Sequence, residues 1–204
     1  MTISGADTQK HEAGFIQREP KTGIFLTILC IVWSLFQLWI ASDFPFYLSE
    51  VTGLNLVFNN QEARQIHLAF GLGLALLAYP AVHKLHPLVD RLSQIALTVV
   101  GVTACLYLYA FKLDIANRAG LPNQYDLVFS IAGIVCLGVA VYRSLGLPLL
   151  IVASLFVLYV LFGDDSFVPD AMRWKGASIN KATWHFWMQT EGVFGVALGV
   201  STSM

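Results

Sequence analysis

Stretches of about twenty residues without a charge dictate what this chain can become. Thr22 to Ser42 is one, with twenty-one uncharged residues between Lys21 and Asp43. Leu92 to Phe111 is another, with twenty between Arg91 and Lys112. A helix needs about twenty predominantly apolar residues to cross a bilayer. Composition agrees: 56% of the 204 residues are hydrophobic and 12% are charged, where a soluble domain carries about 25% charged residues. The expectation is an all-α, polytopic transmembrane helix bundle with five full spans and the start of a sixth.

The remaining spans are less clean. The second runs from about Arg64 to Val82, and its Gly71, Ala75 and Ala78 make a smooth stripe suited to close helix packing. The fourth lies between Asp126 and Arg143. Its sixteen uncharged residues reach only about 24 Å at 1.5 Å per residue, so Asp126 and Arg143 are expected at the two interfaces, with Arg143 snorkelling outward. The fifth is Ser144 to Gly163, entered through Gly146 and Pro148. Polar loops are expected at 43–63, 112–125 and 164–183, and residues 1–21 are expected to form a cytoplasmic tail. The polar stretch before Thr22 and the length of the run after it argue for an uncleaved anchor over a signal peptide.

The last fourteen residues open like a membrane helix. Glu191 stands ahead of an apolar run in which Gly195 and Gly199 form a G-x-x-x-G pair, a spacing that lets two helix backbones approach. Thirteen uncharged residues follow Glu191, fewer than a span requires. The run is therefore expected to continue beyond Met204. The alternative is a short interfacial or re-entrant segment over 184–204.

Orientation follows the Lys and Arg distribution. With the N-terminus cytoplasmic, Lys10, Arg18, Lys21, Lys84, Arg91 and Arg143 lie inside, and Arg64, Lys112 and Arg118 outside. Three more basic residues in 164–183 then fall outside and remove the excess.

Few side chains propose chemistry. Arg64 and His67 share a face of the second span. One reading makes them hydrogen-bond or ion-pair partners of a lipid head group or a neighbouring helix, and the other makes them interfacial anchors. His83 and His86 have a spacing that metal ligands use, yet only Asp90 stands near enough to add to them. Haem needs two axial histidines at matching depth. His67 and His83 fall at opposite ends of one span. Asp90 and Asp126 each stand at an expected membrane edge, where a carboxylate either marks a helix end or serves function. Asp126 also suits a helix first turn. Cys30, Cys105 and Cys136 lie inside apolar runs and imply neither disulfide nor zinc site. No hydrolase, nucleotide or zinc-protease motif is present, which argues against an enzyme. The net charge of −1 offers no basic face for nucleic acid.

Two stretches carry a resemblance. Arg64-Gln-Ile-His-Leu-Ala-Phe70, followed by Gly-Leu-Ala-Leu-Leu-Ala-Tyr-Pro80, resembles the second-helix signature of fused permeases of the TRAP transporters that work with TAXI-type binding proteins. Thr190-Glu191-Gly192-Val193-Phe194-Gly195 with Gly199-Val200-Ser201, Asp126, Arg143-Ser-Leu-Gly146, Tyr159 and Phe162-Gly163 fall where that family has similar residues. The resemblance implies a multi-pass protein of the bacterial inner membrane. It implies a symport of organic acids driven by a cation gradient, usually sodium, with substrate delivered by an extracytoplasmic TAXI-type substrate-binding protein. Residues 22–145 would be the four-helix small-subunit-like domain. Residues 146–204 would be a fifth helix, an outer loop and the start of a large transport domain continuing after Met204. The substrate and sodium sites would lie in that continuation, leaving this portion without a cofactor, as scaffold and docking surface in the lipid bilayer. The alternatives are a stand-alone membrane interaction protein without transport activity and a histidine-using membrane oxidoreductase subunit.

Overall fold

A computed structural model describes residues 23–80, 86–166 and 168–202. The tail over 1–21, His83 and Lys84 lie outside the described residues, as does Met204. Among the described residues the regular structure is entirely helical.

Helix α1 (Ile24–Ala41) contains no charged residue and none of its residues is buried. Residues 43–63, expected as a loop, contain helix α2 (Phe44–Thr52). Pro45 sits in its first turn, where a missing N–H costs nothing because that donor has no helical partner. Gly53, at φ 70°, ends it in the left-handed conformation that glycine adopts without strain. Helix α3 (Asn60–Ala78) starts a turn earlier than Arg64, because Asn59 and Glu62 form a reciprocal capping box. It ends ahead of Pro80, whose ring disfavours helical geometry in the residue before it.

Helix α4 (Pro87–Ala110) also begins earlier than its apolar run and takes in Asp90 and Arg91. A short helix α5 (Lys112–Asn117) occupies the expected loop 112–125. Helix α6 (Gln124–Ser144) opens on a second capping box, Asn123 with Asp126. Gly146, at φ 91°, turns the chain into helix α7 (Leu147–Phe162), sixteen residues of which none is buried.

Beyond α7 the chain doubles back on that helix. Ala177 N–H donates to Val160 O at 2.9 Å, Trp174 N–H to Gly163 O at 3.1 Å, and the Trp174 indole to Tyr159 O at 3.0 Å. These bonds satisfy carbonyls that a helix end leaves open. Gly163 must lack a side chain, since a β-carbon there would lie 1.9 Å from Trp174. A short helix α8 (Ile179–Thr183) then passes into a π-helical turn, Trp184–Met188. Turns fill 189–195, and helix α9 (Val196–Thr202) follows. The sixth segment is therefore broken and does not run as one helix from Glu191.

Helices α1, α4 and α6 are long and apolar enough to cross a membrane; α7 is apolar but shorter. Helix α3 carries Glu62, Arg64 and His67 in its first half, which dilutes its hydropathy. The chain has the character of a membrane protein.

The core lies between α3, α4 and α6, with 184–194 wedged against them. Leu72, Leu76, Ala104, Cys105, Leu108, Cys136, Trp187 and Phe194 are its most buried members. The close approaches fall at glycines the sequence did not single out. A β-carbon on Gly101 would lie 2.8 Å from Leu72, and one on Gly133 would lie 2.2 Å from Trp187. The Trp187 indole also donates to Ala104 O at 3.4 Å.

Candidate functional site

Arg64 and His67 face inward, one turn apart on α3, toward the last segment. Arg64 Nη1–H donates to Phe194 O at 2.9 Å. Gly199 leaves the space that the guanidinium occupies, since a β-carbon there would come within 2.6 Å of Arg64 Nη2. One turn deeper, Gln37 Nε2–H of α1 donates to His67 Nδ1 at 2.7 Å. A neutral imidazole that accepts at Nδ1 carries its proton on Nε2, which faces Ser201 Oγ at 3.5 Å. Trp33 sets its ring edgewise to His67 at 5.0 Å. Helices α1, α3 and α9 are thus tied by one polar cluster. Arg64 bonds the turn ahead of α9, and His67 bonds Gln37 of α1 and faces Ser201 of α9.

The cluster keeps unused valence. Trp33 Nε1, Gln37 Oε1 and Arg64 Nε are buried with no hydrogen-bond partner among the described residues, and no described carboxylate stands within ion-pair distance of Arg64. An unpaired guanidinium away from water is costly.

A second constellation closes one end of the bundle. Asp126 is fully buried, yet both carboxylate oxygens are filled. Arg118 Nε–H donates to Oδ2 at 2.8 Å and Arg118 Nη2–H to Oδ1 at 2.9 Å. Tyr107 Oη–H reaches Oδ1 at 2.7 Å, and the Asn123 N–H reaches Oδ2 at 2.9 Å. Asp126 is more than a helix-end marker. It locks α4, α6 and the loop between them. Beside it, Lys112 pairs with Glu62, joining the start of α3 to the start of α5. Burial alone would raise the Glu62 carboxyl, but the Lys112 ammonium and the Asn59 N–H outweigh it and hold the group below the usual carboxylate range. The same pair raises Lys112.

Asp90 lies in the first turn of α4 at the opposite end, where Gln94 Nε2–H approaches it at 3.5 Å. Arg143 does not snorkel outward. It is buried and reaches Ser93 Oγ at 3.4 Å, within the attraction of Asp90. Partners inside the bundle remove its reason to reach for water.

The glycine expectations divide. A β-carbon on Gly71 would meet nothing within 4 Å, so the Gly71 end of the stripe makes no close helix contact among the described residues. Ala75 packs partly buried against the core. The tight face of α3 is one register over, at Leu68, Leu72, Gly73 and Leu76. Gly195 and Gly199 are not two halves of one helix contact. A β-carbon on Gly195 would press on the carbonyls of Glu191 and Gly192 at 2.8 Å, a local turn requirement, whereas Gly199 seats Arg64. Glu191 is exposed at that turn. His86 is exposed, and no group of three metal-binding side chains occurs among the described residues.

The bonding roles of Gln37, Tyr107, Arg118 and Ser201 escaped the sequence reading, in which Arg118 counts only toward orientation and Ser201 only toward the resemblance. Only the Asn-x-x-Glu and Asn-x-x-Asp spacings at 59–62 and 123–126 gave a local signal for these networks.

No family model, curated protein or solved structure matches this chain.

Proposed function

We propose that this chain is the scaffold portion of a cation-coupled, binding-protein-dependent secondary transporter for organic acids, with five membrane spans and its N-terminus in the cytoplasm. One observation carries the reading. The two stretches on which the TRAP resemblance rests, Arg64–Pro80 and Thr190–Ser201, are far apart in sequence yet touch through the Arg64–Phe194 bond and the Arg64 seat at Gly199. A four-helix small subunit joined to a transport domain needs such a seam, where the first domain grips the entry to the second. Helices α1 and α7, without a buried residue, leave apolar faces for lipid and for the transport domain. Sodium and substrate sites belong to that domain, and the extracytoplasmic TAXI-type binding protein docks on the side of loops 43–63 and 112–125.

The test is uptake into liposomes under an inward sodium gradient with the cognate binding protein. The protein joined to its transport domain is expected to take up substrate, and residues 1–204 alone are not. Arg64→Met should lower uptake about ten-fold or more at equal reconstitution, in line with the loss of a charged hydrogen bond. Uptake by residues 1–204 alone, or uptake that survives deletion of residues 1–145, would sink the scaffold assignment.

A further inference from the structure

Helices α1 and α4 both lean on α3, and a cleft of about 800 Å³ lies between them. Its walls are mostly apolar. They come from the start of α1 (Phe25, Leu26), the end of α3 (Leu77) and the first half of α4 (Arg91, Ile95, Val99). These three sections meet at the bundle end where Arg143 reaches Ser93. Phe25, Ile95 and Val99 are exposed and belong to helices long and apolar enough to cross a membrane. The cleft therefore opens sideways toward acyl chains, and an apolar cavity does not hold water.

Its length and its charge both suit an amphiphile. From Arg91 to Val99 the α4 wall runs about 12 Å at 1.5 Å per residue. One leaflet contributes roughly 15 Å to a hydrocarbon core of about 30 Å, so the cleft follows most of a leaflet's depth. Arg91 is exposed at one end of that wall and makes no ion pair among the described residues. Its neighbour Asp90 is engaged by Gln94 and by the attraction of Arg143. A guanidinium presents a planar fork of donors that fits a phosphate, and basic pockets between membrane helices receive lipid head groups.

We propose that this cleft holds one anionic phospholipid, with its phosphate on the Arg91 guanidinium and an acyl chain lying along Ile95, Val99 and Leu77 between α1 and α4. The chain fills an apolar space that water does not fill, and the phosphate supplies the counter-charge that Arg91 lacks. A zwitterionic lipid fits less well, because its own ammonium competes for the phosphate and is repelled by the guanidinium. A soluble phosphate reaches Arg91 but leaves the apolar slot empty.

The site rests on the membrane character of α1 and α4, not on the transport reading. Its test is native mass spectrometry of the full chain in detergent, titrated with dioleoyl phosphatidylglycerol or dioleoyl phosphatidylcholine. One phosphatidylglycerol is expected to bind about ten-fold more tightly than phosphatidylcholine, and glycerol phosphate, a head without chains, should not displace it. Arg91→Gln alters an exposed side chain, so it should leave the melting temperature unchanged and erase the preference. Lys175→Gln, exposed elsewhere, should keep the preference intact. Ile95→Trp puts bulk into the cleft and should weaken phosphatidylglycerol about ten-fold. Equal affinity for the two lipids overturns the proposal. So does a preference that survives Arg91→Gln, one that Lys175→Gln abolishes, or displacement by glycerol phosphate. A dimer that Ile95→Trp dissociates would give the cleft to a second copy of the chain and overturn it as well.

Discussion

At the scale of single residues, what matters is which glycine has a neighbour. Gly71 and Gly133 are both helical and both sit in apolar runs, and the sequence gives no reason to treat them differently. The structure does, because Trp187 arrives from more than fifty positions away and lies across Gly133. Gly133→Ala forces Trp187 out of place, and overpacking of this kind costs about 1–3 kcal/mol. Gly71→Ala meets open space and recovers the helix propensity that glycine lacks, about 0.8–1 kcal/mol. Melting temperatures in detergent should fall for the first and hold or rise for the second. Equal falls would mean that Trp187 does not lie where it is described.

The Glu62–Lys112 pair makes a pH prediction of definite sign. The Glu62 carboxyl is held below its ordinary 4.5, so its stabilising contribution is complete above that pH and fades as acid titrates it in the folded state. Lys112 is raised above 10.5; its share is complete below that pH and is lost as alkali titrates the folded form. Glu62→Gln keeps the capping-box geometry, because glutamine serves at that position as glutamate does, and it removes only the charge. The melting-temperature gap between wild type and variant should be open at neutral pH and close below pH 4.5. A gap that persists unchanged into acid would assign it to lost packing.

At the scale of elements, the apolar runs were legible because lipid leaves the backbone few choices. Helix starts were partly legible. Asp126 suits a first turn, whereas the Asn59 and Asn123 capping boxes, which start α3 and α6 before their apolar stretches, were not singled out. The last segment was not legible. Its G-x-x-x-G spacing is shared by helix contacts, tight turns and side-chain seats, and only the fold decides among them. The 184–195 region, with its π turn at Trp184–Met188, lays Trp187 across Gly133, a tertiary demand with no local signature. Arg118, eight residues from Asp126 across a turn, was equally invisible as its partner. The seam between α3 and α9 supplies the element-scale test. Gly199→Leu puts bulk where the Arg64 guanidinium lies, so α9 should detach from α3. Protease cleavage or amide exchange over 196–202 should then rise, while protection of α4 and α6 stays as in wild type. Unchanged protection of 196–202 would show that the Arg64 seat does not hold α9.

At the scale of the whole molecule, the two bundle ends are chemically distinct, and that fixes which loops share a side. The start of α3 is joined to α5 by Glu62–Lys112, and the loop ahead of α6 to its first turn by Arg118–Asp126. Residues 59–62 and 112–126 therefore lie at one end. Arg143 reaches Ser93 near the start of α4, so the turn after α6 lies at the other. The proposed orientation puts the Arg143 end in the cytoplasm. Three positions test this without disturbing a bond. Asn60 and Asn117 are exposed at the first end, and Leu145, 49% exposed, marks the second. Single cysteines are placed there in a chain freed of Cys30, Cys105 and Cys136. With an impermeant thiol reagent on intact cells, the cysteines at 60 and 117 should label together, and the one at 145 should label only after the membrane is opened. Labelling at 145 alone would keep the helix bundle and invert its orientation. Labelling at 60 without 117 would break the bundle itself, since the Glu62–Lys112 bond cannot reach across a bilayer.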